Sequence, residues 1–354
     1  MKPITSSKST SLKGSILIPG DKSISHRSLM ISSLANGKSK IKGMLLSHDI
    51  IKTKNALEKM GVTIKNIDND FEVYGVGTGG LLEPNNILDL GNSGTSARLL
   101  IGLISSHKIT ATLTGDESLI KRPMKRVIEP ANRIGAKIIA KNGDKLPLTI
   151  FGTDDPLPIS YNLTLPSAQV KSSILLAALQ SAGETCIEEA IPSRDHTERM
   201  LDYFGAKISV TKGKSNKKRI CIKGQHDLSA SEIIVPGDFS SAAFFIVAGL
   251  IVPDSSLLIN NIGINPHRIG ILNILKEMGG KIEISNKKIN NNEPSADIKV
   301  SSSELNGVDV PANISPSMID EYPILSIAAS RAKGKTVLRG LGELKYKESN
   351  RLKS

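Results

Sequence analysis

One pattern recurs five times in this chain, and the repetition constrains the fold more than any single segment does. Each copy opens with a turn of small and polar residues, followed by an apolar stretch rich in Ala, Leu and Ile. The openings are residues 19–23, 91–95, 166–169, 236–240 and 319–323. Their first residues lie 72, 75, 70 and 83 positions apart. This period predicts a protein assembled from copies of one structural unit.

The segments within each copy alternate between two periodicities. The apolar stretches predict helices at residues 25–35, 97–106, 170–182, 242–250 and 324–332. A short strand follows, then an amphipathic helix that ends near Gly61, Gly135, Gly205 or Gly279, and then two more strands. The unit is therefore βαβαββ. Because its first helix is hydrophobic nearly all round, we expect that helix to lie inside the domain.

The length predicts more than one core. At 354 residues the chain exceeds the size at which single cores usually stop growing, about 300 residues, so we expect two domains. The fifth copy begins at Ile319 and the sequence ends at Ser354, within a helix predicted to begin near Lys347. We expect roughly 70 further residues to complete that copy.

The cysteine content and the lack of a targeting segment indicate the compartment. Cys186 and Cys221 are the only cysteines, which gives neither a disulfide framework nor a Cys-x-x-Cys metal pair and favours a reducing compartment. The first 20 residues are polar and resemble no signal peptide. The longest apolar run, residues 242–252, is shorter than the roughly 20 residues that cross a bilayer. We expect a cytoplasmic protein that is not embedded in a membrane.

The net charge of +12 suggests an anionic partner. Nucleic acid, an anionic membrane surface and small anionic substrates are the alternatives. Aromatic residues make up only 3% of the chain and Trp is missing, which disfavours nucleic-acid binding by base stacking. Small anionic substrates are the better prediction.

The first opening is the clearest anion-binding motif. A Pro-Gly turn that leads into a helix presents unpaired backbone N–H groups and the positive end of the helix dipole. Lys22 and Ser23 fall in the first turn, and Arg27 lies four residues after Ser23 on the same face. Capped helices with surface cations have the same pattern, so this motif alone leaves both interpretations open.

Other segments add polar and charged groups at helix starts. The second opening, residues 91–95, has glycines that permit close backbone approach to a ligand. Arg122 and Arg194 precede the second helices of two copies, where a purely structural arginine is less common than at a helix end. Late in the chain, Asp320 and Glu348 lie among cations and are candidate acid/base groups, although a surface ion-pair cluster has the same composition.

The segments that resemble metal-binding or nucleotide-binding motifs are incomplete. Gly37-Lys38-Ser39, for example, lacks the earlier glycine of a phosphate-binding loop, because Ser32 stands at that position. The six histidines show no zinc-ligand spacing. We predict no metal and no organic cofactor.

Six segments together resemble the enolpyruvyl transferase family over the entire chain, in the branch that acts on shikimate 3-phosphate. They are residues 19–27 (PGDKSISHR), 90–95 (LGNSGT), 165–171 (LPSAQVK), 193–198 (SRDHTE), 319–323 (IDEYP) and 347–351 (KESNR). The resemblance implies an α/β fold: a two-domain inside-out α/β barrel of repeated βαβαββ units, of which about five of six are present. It implies one domain of residues 1–19 plus 235–354 and a second of residues 20–234. The chain would cross between the domains twice, and the protein is expected to be a monomer.

The same resemblance implies the substrates and the roles of individual residues. The substrates would be shikimate 3-phosphate and phosphoenolpyruvate, with no cofactor and no nucleic-acid or membrane partner. Shikimate 3-phosphate would be held by Lys22, Ser23, Arg27, Ser167, Gln169, Arg194, Asp320 and Lys347. Phosphoenolpyruvate would be held by Lys22, Gly94, Arg122, Gln169 and Arg351, and Asn92 and Ala168 would also line the substrate site. Lys22, Asp320 and Glu348 would be catalytic, and Asp320 and Glu348 would transfer protons.

Two other functions remain open from the sequence. The related enzyme that transfers the enolpyruvyl group to UDP-N-acetylglucosamine normally has Lys-Asn where Lys22-Ser23 stands here, and has a loop cysteine that neither Cys186 nor Cys221 matches in position. A non-catalytic, basic nucleic-acid-binding protein would also account for the charge.

Overall fold

The computed structural model describes residues 5, 7–68, 70–213 and 217–353. The chain divides into two compact units. Unit 1 comprises the chain up to Pro19, Pro236–Ile289 and the chain from Pro294 onward. Unit 2 comprises Gly20–Val235 and Asn290–Glu293. Each unit has its own cluster of buried apolar side chains.

The described residues form nine α-helices. They are α1 (Lys22–Ser33), α2 (His48–Lys59), α3 (Gly94–Ser105), α4 (Lys125–Ile134), α5 (Ala168–Ala178), α6 (His196–Tyr203), α7 (Phe239–Ile251), α8 (Gly270–Glu277) and α9 (Tyr322–Arg331). Short 3-10 helices add Leu119–Lys121, Ala312–Ser317 and Gly342–Tyr346.

The described residues also form nineteen β-strands. Those before α6 are β1 (Lys13–Leu17), β2 (Ala35–Lys42), β3 (Thr63–Ile67), β4 (Asp70–Val76), β5 (Leu88–Asp89), β6 (Thr110–Thr114), β7 (Lys137–Lys141), β8 (Lys145–Phe151), β9 (Ser160–Leu163) and β10 (Glu184–Glu189). Those after α6 are β11 (Lys207–Lys212), β12 (Lys218–Lys223), β13 (Leu228–Ser229), β14 (Glu232–Ile234), β15 (Ser256–Gly263), β16 (Lys281–Asn290), β17 (Glu293–Ser301), β18 (Asp309–Val310) and β19 (Val337–Leu338).

Unit 2 contains three sheets of the same topology. Their strand orders are β13-β2-β4-β3, with β14 also paired to β2, then β5-β6-β8-β7 and β9-β10-β12-β11. In each sheet the first pair is parallel and the next two pairs are antiparallel. In the second and third sheets the parallel strands are joined through α3 and α5, as parallel neighbours require. In the first sheet the parallel partners of β2 are β13 and β14, which come much later in the chain. The predicted α/β fold of repeated βαβαββ units is confirmed.

Unit 1 contains one sheet of the same kind, in the order β1-β15-β17-β16. Strand β1 precedes the first opening but pairs in parallel with β15, which follows the fourth opening. In unit 2, β14 precedes the fourth opening but pairs in parallel with β2, which follows the first. The chain therefore leaves unit 1 before its sheet is complete and returns to complete it, and β14 joins the first sheet of unit 2 after the chain has passed through the other two. A two-stranded parallel sheet, β18-β19, flanks α9.

The predicted helix ends are confirmed. Gly61, Gly135, Gly205 and Gly279 follow α2, α4, α6 and α8, and each has a φ between 88° and 122°. In this left-handed region a side chain would be strained, so glycine ends the helix at low cost.

The prediction that every first helix lies inside its domain is confirmed only in part. From Ile24 to Ser33 every residue of α1 is buried, and α3 and α5 are mostly buried. In unit 1, by contrast, Phe244 and Phe245 of α7 are exposed, and so is Ile327 of α9. Apolar composition did not distinguish these helices, because burial depends on what packs against them.

The predicted helix near Lys347 is wrong. Lys347 follows the 3-10 helix Gly342–Tyr346 in an extended conformation, and the described residues after it form bends and turns. The carboxylate and cations of this segment are therefore placed by a turn rather than by a helix face.

The two cysteines, from which no disulfide framework was expected, are paired in the structure. Cys186 on β10 and Cys221 on β12 stand directly opposite each other in the antiparallel register, and their Sγ atoms form a disulfide. This proximity depends on a strand register that the cysteine count does not reveal. The cysteine content therefore gives no support for a reducing compartment. No helix in the described part of the chain is both long and apolar enough to span a membrane.

The close approach of α3 to α5 generates a stability prediction. A Cβ atom on Gly102 would lie 2.0 Å from the backbone oxygen of Ser173. Gly102→Ala should therefore lower the free energy of unfolding by about 1–3 kcal/mol, measured by urea denaturation. Gly79→Ala is the control, because its Cβ would meet nothing closer than Gln180 Oε1 at 3.4 Å. Equal stability of the two variants would contradict the close packing.

Candidate active site

The first opening is a capped helix start with an exposed cation. Asp21 caps α1, because its Oδ1 accepts a hydrogen bond of 2.9 Å from the Ile24 N–H. Gly20 packs so closely that a Cβ there would lie 2.0 Å from Gly43 O. Lys22, the first helical residue, is exposed, and its Nζ lies 2.6 Å from Asp49 Oδ2. Lys22 and Ser23 are thus held at a fixed helix start.

Arg27 lies deeper in the same helix. It is only 3% exposed. Its Nε donates to Thr197 Oγ1, one terminal nitrogen donates to Ser172 Oγ and the other to Ser23 O, at 2.7, 2.8 and 3.0 Å. Burial lowers its pKa to about 10, opposed mainly by Glu198. Arg27 is therefore a cation at neutral pH that connects α1 to α5 and α6.

The second opening is organised around Gly94. Ser93 caps α3 by accepting a hydrogen bond from the Ser96 N–H at 3.1 Å. A Cβ on Gly94 would lie 3.0 Å from a terminal nitrogen of Arg122 and 3.3 Å from one of Arg98. Glycine at this position leaves room for two guanidinium groups beside the helix start.

Arg122 is held in place by the loop before α3. Its terminal nitrogen donates to Asn92 Oδ1 and, at 3.1 Å, to Ser118 Oγ. Asn92 in turn donates to Asp116 Oδ2 at 2.7 Å. Arg122 is 9% exposed, so a nearly buried cation is oriented by neutral oxygens and can still interact with an anion.

The third opening joins the second through hydrogen bonds. Ser167 caps α5 by accepting a hydrogen bond from the Val170 N–H, and Ala168 is the first helical residue. Gln169 donates from Nε2 to Thr95 Oγ1 at 3.0 Å, and its Oε1 accepts from Arg98 at 2.7 Å. The two helix starts are therefore adjacent.

The structure thus brings the predicted residues of unit 2 together. The first turns of α3 and α5 are connected by Gln169, and Arg27 connects α1 to Ser172 of α5 one turn further along each helix. Arg194 lies half-buried in the loop between β10 and α6, whose Thr197 contacts Arg27. Helix N-termini carry partial positive charge, and the adjacent side chains are cations. This arrangement suits a small ligand with several negative charges.

The predicted residues of unit 1 form an ion-pair cluster. Asp320 Oδ1 lies 3.1 Å from Lys347 Nζ and 3.3 Å from a terminal nitrogen of Arg351. The other terminal nitrogen of Arg351 lies 2.6 Å from Glu348 Oε2. About half of the Glu348 side chain is exposed, and 22% of the Asp320 side chain. These two carboxylates remain accessible to a ligand or to solvent.

The chain matches one family model over residues 6–354, that of EPSP synthase (3-phosphoshikimate 1-carboxyvinyltransferase). The chain belongs to the EPSP synthase family. A relative named 3-phosphoshikimate 1-carboxyvinyltransferase, from Sphingopyxis alaskensis, is 52% identical over 99% of this chain and 80% of its own length. One of the same name from Rhodospirillum rubrum is 49% identical over 99% and 79%.

Solved structures agree with this family. The EPSP synthase of Acinetobacter baumannii is 43% identical and superposes with a TM-score of 0.86, covering 97% of this chain and 77% of that one. The enolpyruvyl transferase NikO of Streptomyces tendae has a TM-score of 0.72 at 17% identity, over 92% and 74% of the two chains. The second likeness shows that the fold is shared, and the predicted fold class is confirmed.

Arg98 lies among the predicted site residues, although none of the sequence motifs includes it. It donates to Gln169 and lies beside Gly94, among residues that the EPSP synthase family resemblance assigns to the substrates. A signal was present, because Arg98 follows Gly94 by four residues, as Arg27 follows Ser23. Arg98 is the one charged residue of α3, and the remainder of that helix is small or apolar, which is typical of a core helix.

His26 connects the first two openings without charge. Its Nδ1 lies 2.8 Å from Thr53 Oγ1, which lies 2.6 Å from Ser96 Oγ, and Ser96 bonds to the cap Ser93. Burial, together with Lys22 and Arg27, lowers the pKa of His26 to about 3. A neutral imidazole here avoids adding a third positive charge to those of Lys22 and Arg27.

This shift predicts a pH dependence of stability. The unfolded chain binds a proton at His26 below pH 6.5 whereas the folded protein does not, so stability falls as pH drops from 6.5 towards 3. Between pH 7 and pH 5 the loss due to His26 should be about 2 kcal/mol. Urea denaturation at both pH values should show a smaller loss in His26→Asn. The same substitution at the exposed His226 should keep the wild-type dependence, and identical pH dependence in all three proteins would contradict the assignment.

Proposed function

We propose that this protein transfers the enolpyruvyl group of phosphoenolpyruvate to the 5-hydroxyl of shikimate 3-phosphate and releases phosphate. The product would be 5-enolpyruvylshikimate 3-phosphate, an intermediate of aromatic amino-acid biosynthesis. The observation that carries the proposal is the arrangement of cations at capped helices in unit 2: Gln169 joins the starts of α5 and α3, where Arg98 and Arg122 lie beside Gly94, and Arg27 joins α1 to α5 and α6. Membership of the EPSP synthase family supports it.

The anion-binding roles follow the family resemblance. Shikimate 3-phosphate is bound by Lys22, Ser23, Arg27, Ser167, Gln169, Arg194, Asp320 and Lys347, and Ala168 lines the same substrate site. Lys22, Gly94, Arg122, Gln169 and Arg351 bind phosphoenolpyruvate, with Asn92 orienting Arg122. Cations arranged in advance stabilise the charge of phosphate as it leaves. No metal or cofactor takes part in this proposal.

We assign the proton transfers to the carboxylates of Asp320 and Glu348. Asp320 pairs with two cations as a carboxylate, the form that can accept the proton of the 5-hydroxyl. The hydroxyl oxygen bonds to the enol carbon while the methylene carbon gains a proton, which gives a tetrahedral ketal. Loss of a proton from the new methyl group and departure of phosphate then form the enol ether. Glu348, which is half exposed, serves as the second proton-transfer group.

The test is phosphate release by the protein supplied with shikimate 3-phosphate and phosphoenolpyruvate. Release should require both substrates and should be accompanied by formation of the enol ether. Turnover with UDP-N-acetylglucosamine in place of shikimate 3-phosphate, and none with the proposed pair, would overturn the assignment. A salt-dependent affinity for DNA far above that for either phosphorylated substrate would favour the nucleic-acid-binding alternative.

A substitution of Lys22 tests the proposed site most directly. Lys22→Ala should reduce turnover by at least about 100-fold, because it removes a cation that stabilises the leaving phosphate. The melting temperature should change little, since exposed ion pairs such as Lys22–Asp49 contribute only about 0–1 kcal/mol. Lys38→Ala is the matched control, because Lys38 is a similarly exposed lysine whose Nζ lies 2.9 Å from Glu72. Comparable turnover in both variants would remove Lys22 from the site.

A further inference from the structure

A buried charge cluster lies beneath the third opening. Lys171 of α5 is fully buried, and its Nζ lies 3.0 Å from Glu189 Oε1 and 2.7 Å from Glu198 Oε1. Glu189 ends β10 and Glu198 lies in the first turn of α6; they are 1% and 4% exposed. One lysine thus joins the helix of the third opening to both elements that flank the loop carrying Arg194.

The cluster also binds that loop directly, through hydrogen bonds to Ser193. Glu189 Oε2 accepts hydrogen bonds from the Ser193 backbone N–H at 3.2 Å and from Ser193 Oγ at 2.8 Å. Lys171 Nζ donates to Ser193 O at 3.4 Å. Three polar atoms of Ser193 are therefore bound by two buried charged side chains. The next residue in the chain is Arg194.

Each charge within the cluster faces charges of the opposite sign. Burial acts to lower the pKa of Lys171, but the carboxylates of Glu198 and Glu189 outweigh it and raise the pKa above its ordinary value. Glu198 also acts on Arg27, which is nearly buried, and Glu189 lies 4.0 Å from Lys218 Nζ. Buried ions without partners are strongly destabilising, so these groups keep their positions only as a set.

Other contacts at the start of α6 lead to the same conclusion. Asp195 at the cap position makes no side-chain capping hydrogen bond and instead pairs with Arg199 at 2.9 Å. Thr197 is held between Arg27 Nε and Ser172 Oγ, at 2.7 and 2.6 Å. The loop is therefore positioned by side chains from α1 and α5 and by the end of β10, rather than by a cap of its own.

We propose that Lys171 and Glu189 are positioning residues that hold Ser193 and thereby aim Arg194 at the anionic acceptor substrate. The inference rests on the proposed function, in which Arg194 binds shikimate 3-phosphate. Neither residue is assigned a contact with the substrate, because the charged atoms of both are engaged with each other, with Ser193 and with Glu198. Their effect is to fix the backbone on both sides of a long, rotamer-rich arginine, so that less conformational entropy is lost when the acceptor binds.

The primary experiment compares steady-state kinetics of Ser193→Ala and Glu189→Gln with those of the wild type. Removing a hydrogen bond to a charged group should raise KM for shikimate 3-phosphate about tenfold. KM for phosphoenolpyruvate should stay within about twofold, because Arg122 and Gly94 are held by other contacts. Ser193→Thr keeps the hydroxyl and should restore the acceptor KM.

Thr185→Ala is the matched control. Thr185 is fully buried on β10, the strand that ends in Glu189, and its Oγ1 accepts a hydrogen bond of 3.2 Å from the Ile159 N–H. This variant weakens the same sheet without touching Ser193. It should lower the melting temperature and leave both KM values unchanged. An equal rise of the acceptor KM in Thr185→Ala, or an unchanged acceptor KM in both Ser193→Ala and Glu189→Gln, would overturn the proposal.

A second measurement does not depend on activity. Hydrogen exchange of the Ser193 amide should be about tenfold faster in Glu189→Gln than in the wild type, because the neutral amide is a weaker acceptor. A wild type that fails to bind shikimate 3-phosphate would contradict the proposed function. In that case the exchange rate alone tests whether Glu189 holds Ser193. Faster exchange in Glu189→Gln supports this contact, and an unchanged rate overturns it.

The role of Lys171 is tested by removing its charge alone and then together with the charges of Glu189 and Glu198. Lys171→Met leaves two buried carboxylates facing each other and should lower the melting temperature strongly. The triple variant Lys171→Met, Glu189→Gln, Glu198→Gln removes that repulsion and should recover much of the stability. Its acceptor KM should nevertheless remain about tenfold raised, since Ser193 has lost its charged partners. A stable triple variant with the wild-type acceptor KM would show that the cluster serves stability alone.

Discussion

The structure depends on unpaired backbone N–H groups at helix starts. Asp21, Ser93, Ser167 and Asp238 each cap a helix by accepting one N–H, in the first four of the five openings. A cap accepts only one of the several free donors, so each start retains partial positive charge. In unit 2 Gln169 joins the starts of α3 and α5, and Arg27 joins α1 to α5 one turn further along. The βαβαββ repeat thus places several weak positive ends in one region, where cationic side chains add to them.

So much positive charge needs compensation when no ligand is bound, and the structure supplies it in two ways. At the surface, carboxylates such as Asp49 pair with the exposed Lys22, an interaction that an anionic ligand can replace at low cost. In the interior, Glu189 and Glu198 pair with Lys171 and act on Arg27, and these partners cannot leave without exposing a buried charge. His26 needs no carboxylate partner, because its lowered pKa keeps the imidazole neutral. The exchangeable ion pairs therefore lie where substrate is proposed to bind, and the permanent ones lie beneath.

Most of what depends on local periodicity could be predicted from the sequence. The repeat, the order of elements within each copy and the glycine helix ends are patterns of near neighbours along the chain, and the structure confirms them; the helix expected near Lys347 is an exception. The other failures depend on residues far apart in the sequence: the Cys186–Cys221 pairing needs a strand register, and the exposure of Phe244 needs knowledge of what packs on α7. Lys171 looked like any lysine near a helix start. Its burial follows from Glu189 and Glu198, which are 18 and 27 positions away.

The two units carry different chemistry. Unit 2 carries the residues proposed to bind anions, and Arg27 and Arg122 among them are nearly buried and hydrogen-bonded, which suits ligands that must be held in one orientation. Unit 1 carries Asp320 and Glu348 in an accessible ion-pair cluster on turns. Proton transfer needs a carboxylate that can gain and lose charge, and a deeply buried ion pair resists that change. A buried network like the one around Lys171 would therefore hinder the proton transfer proposed for Asp320.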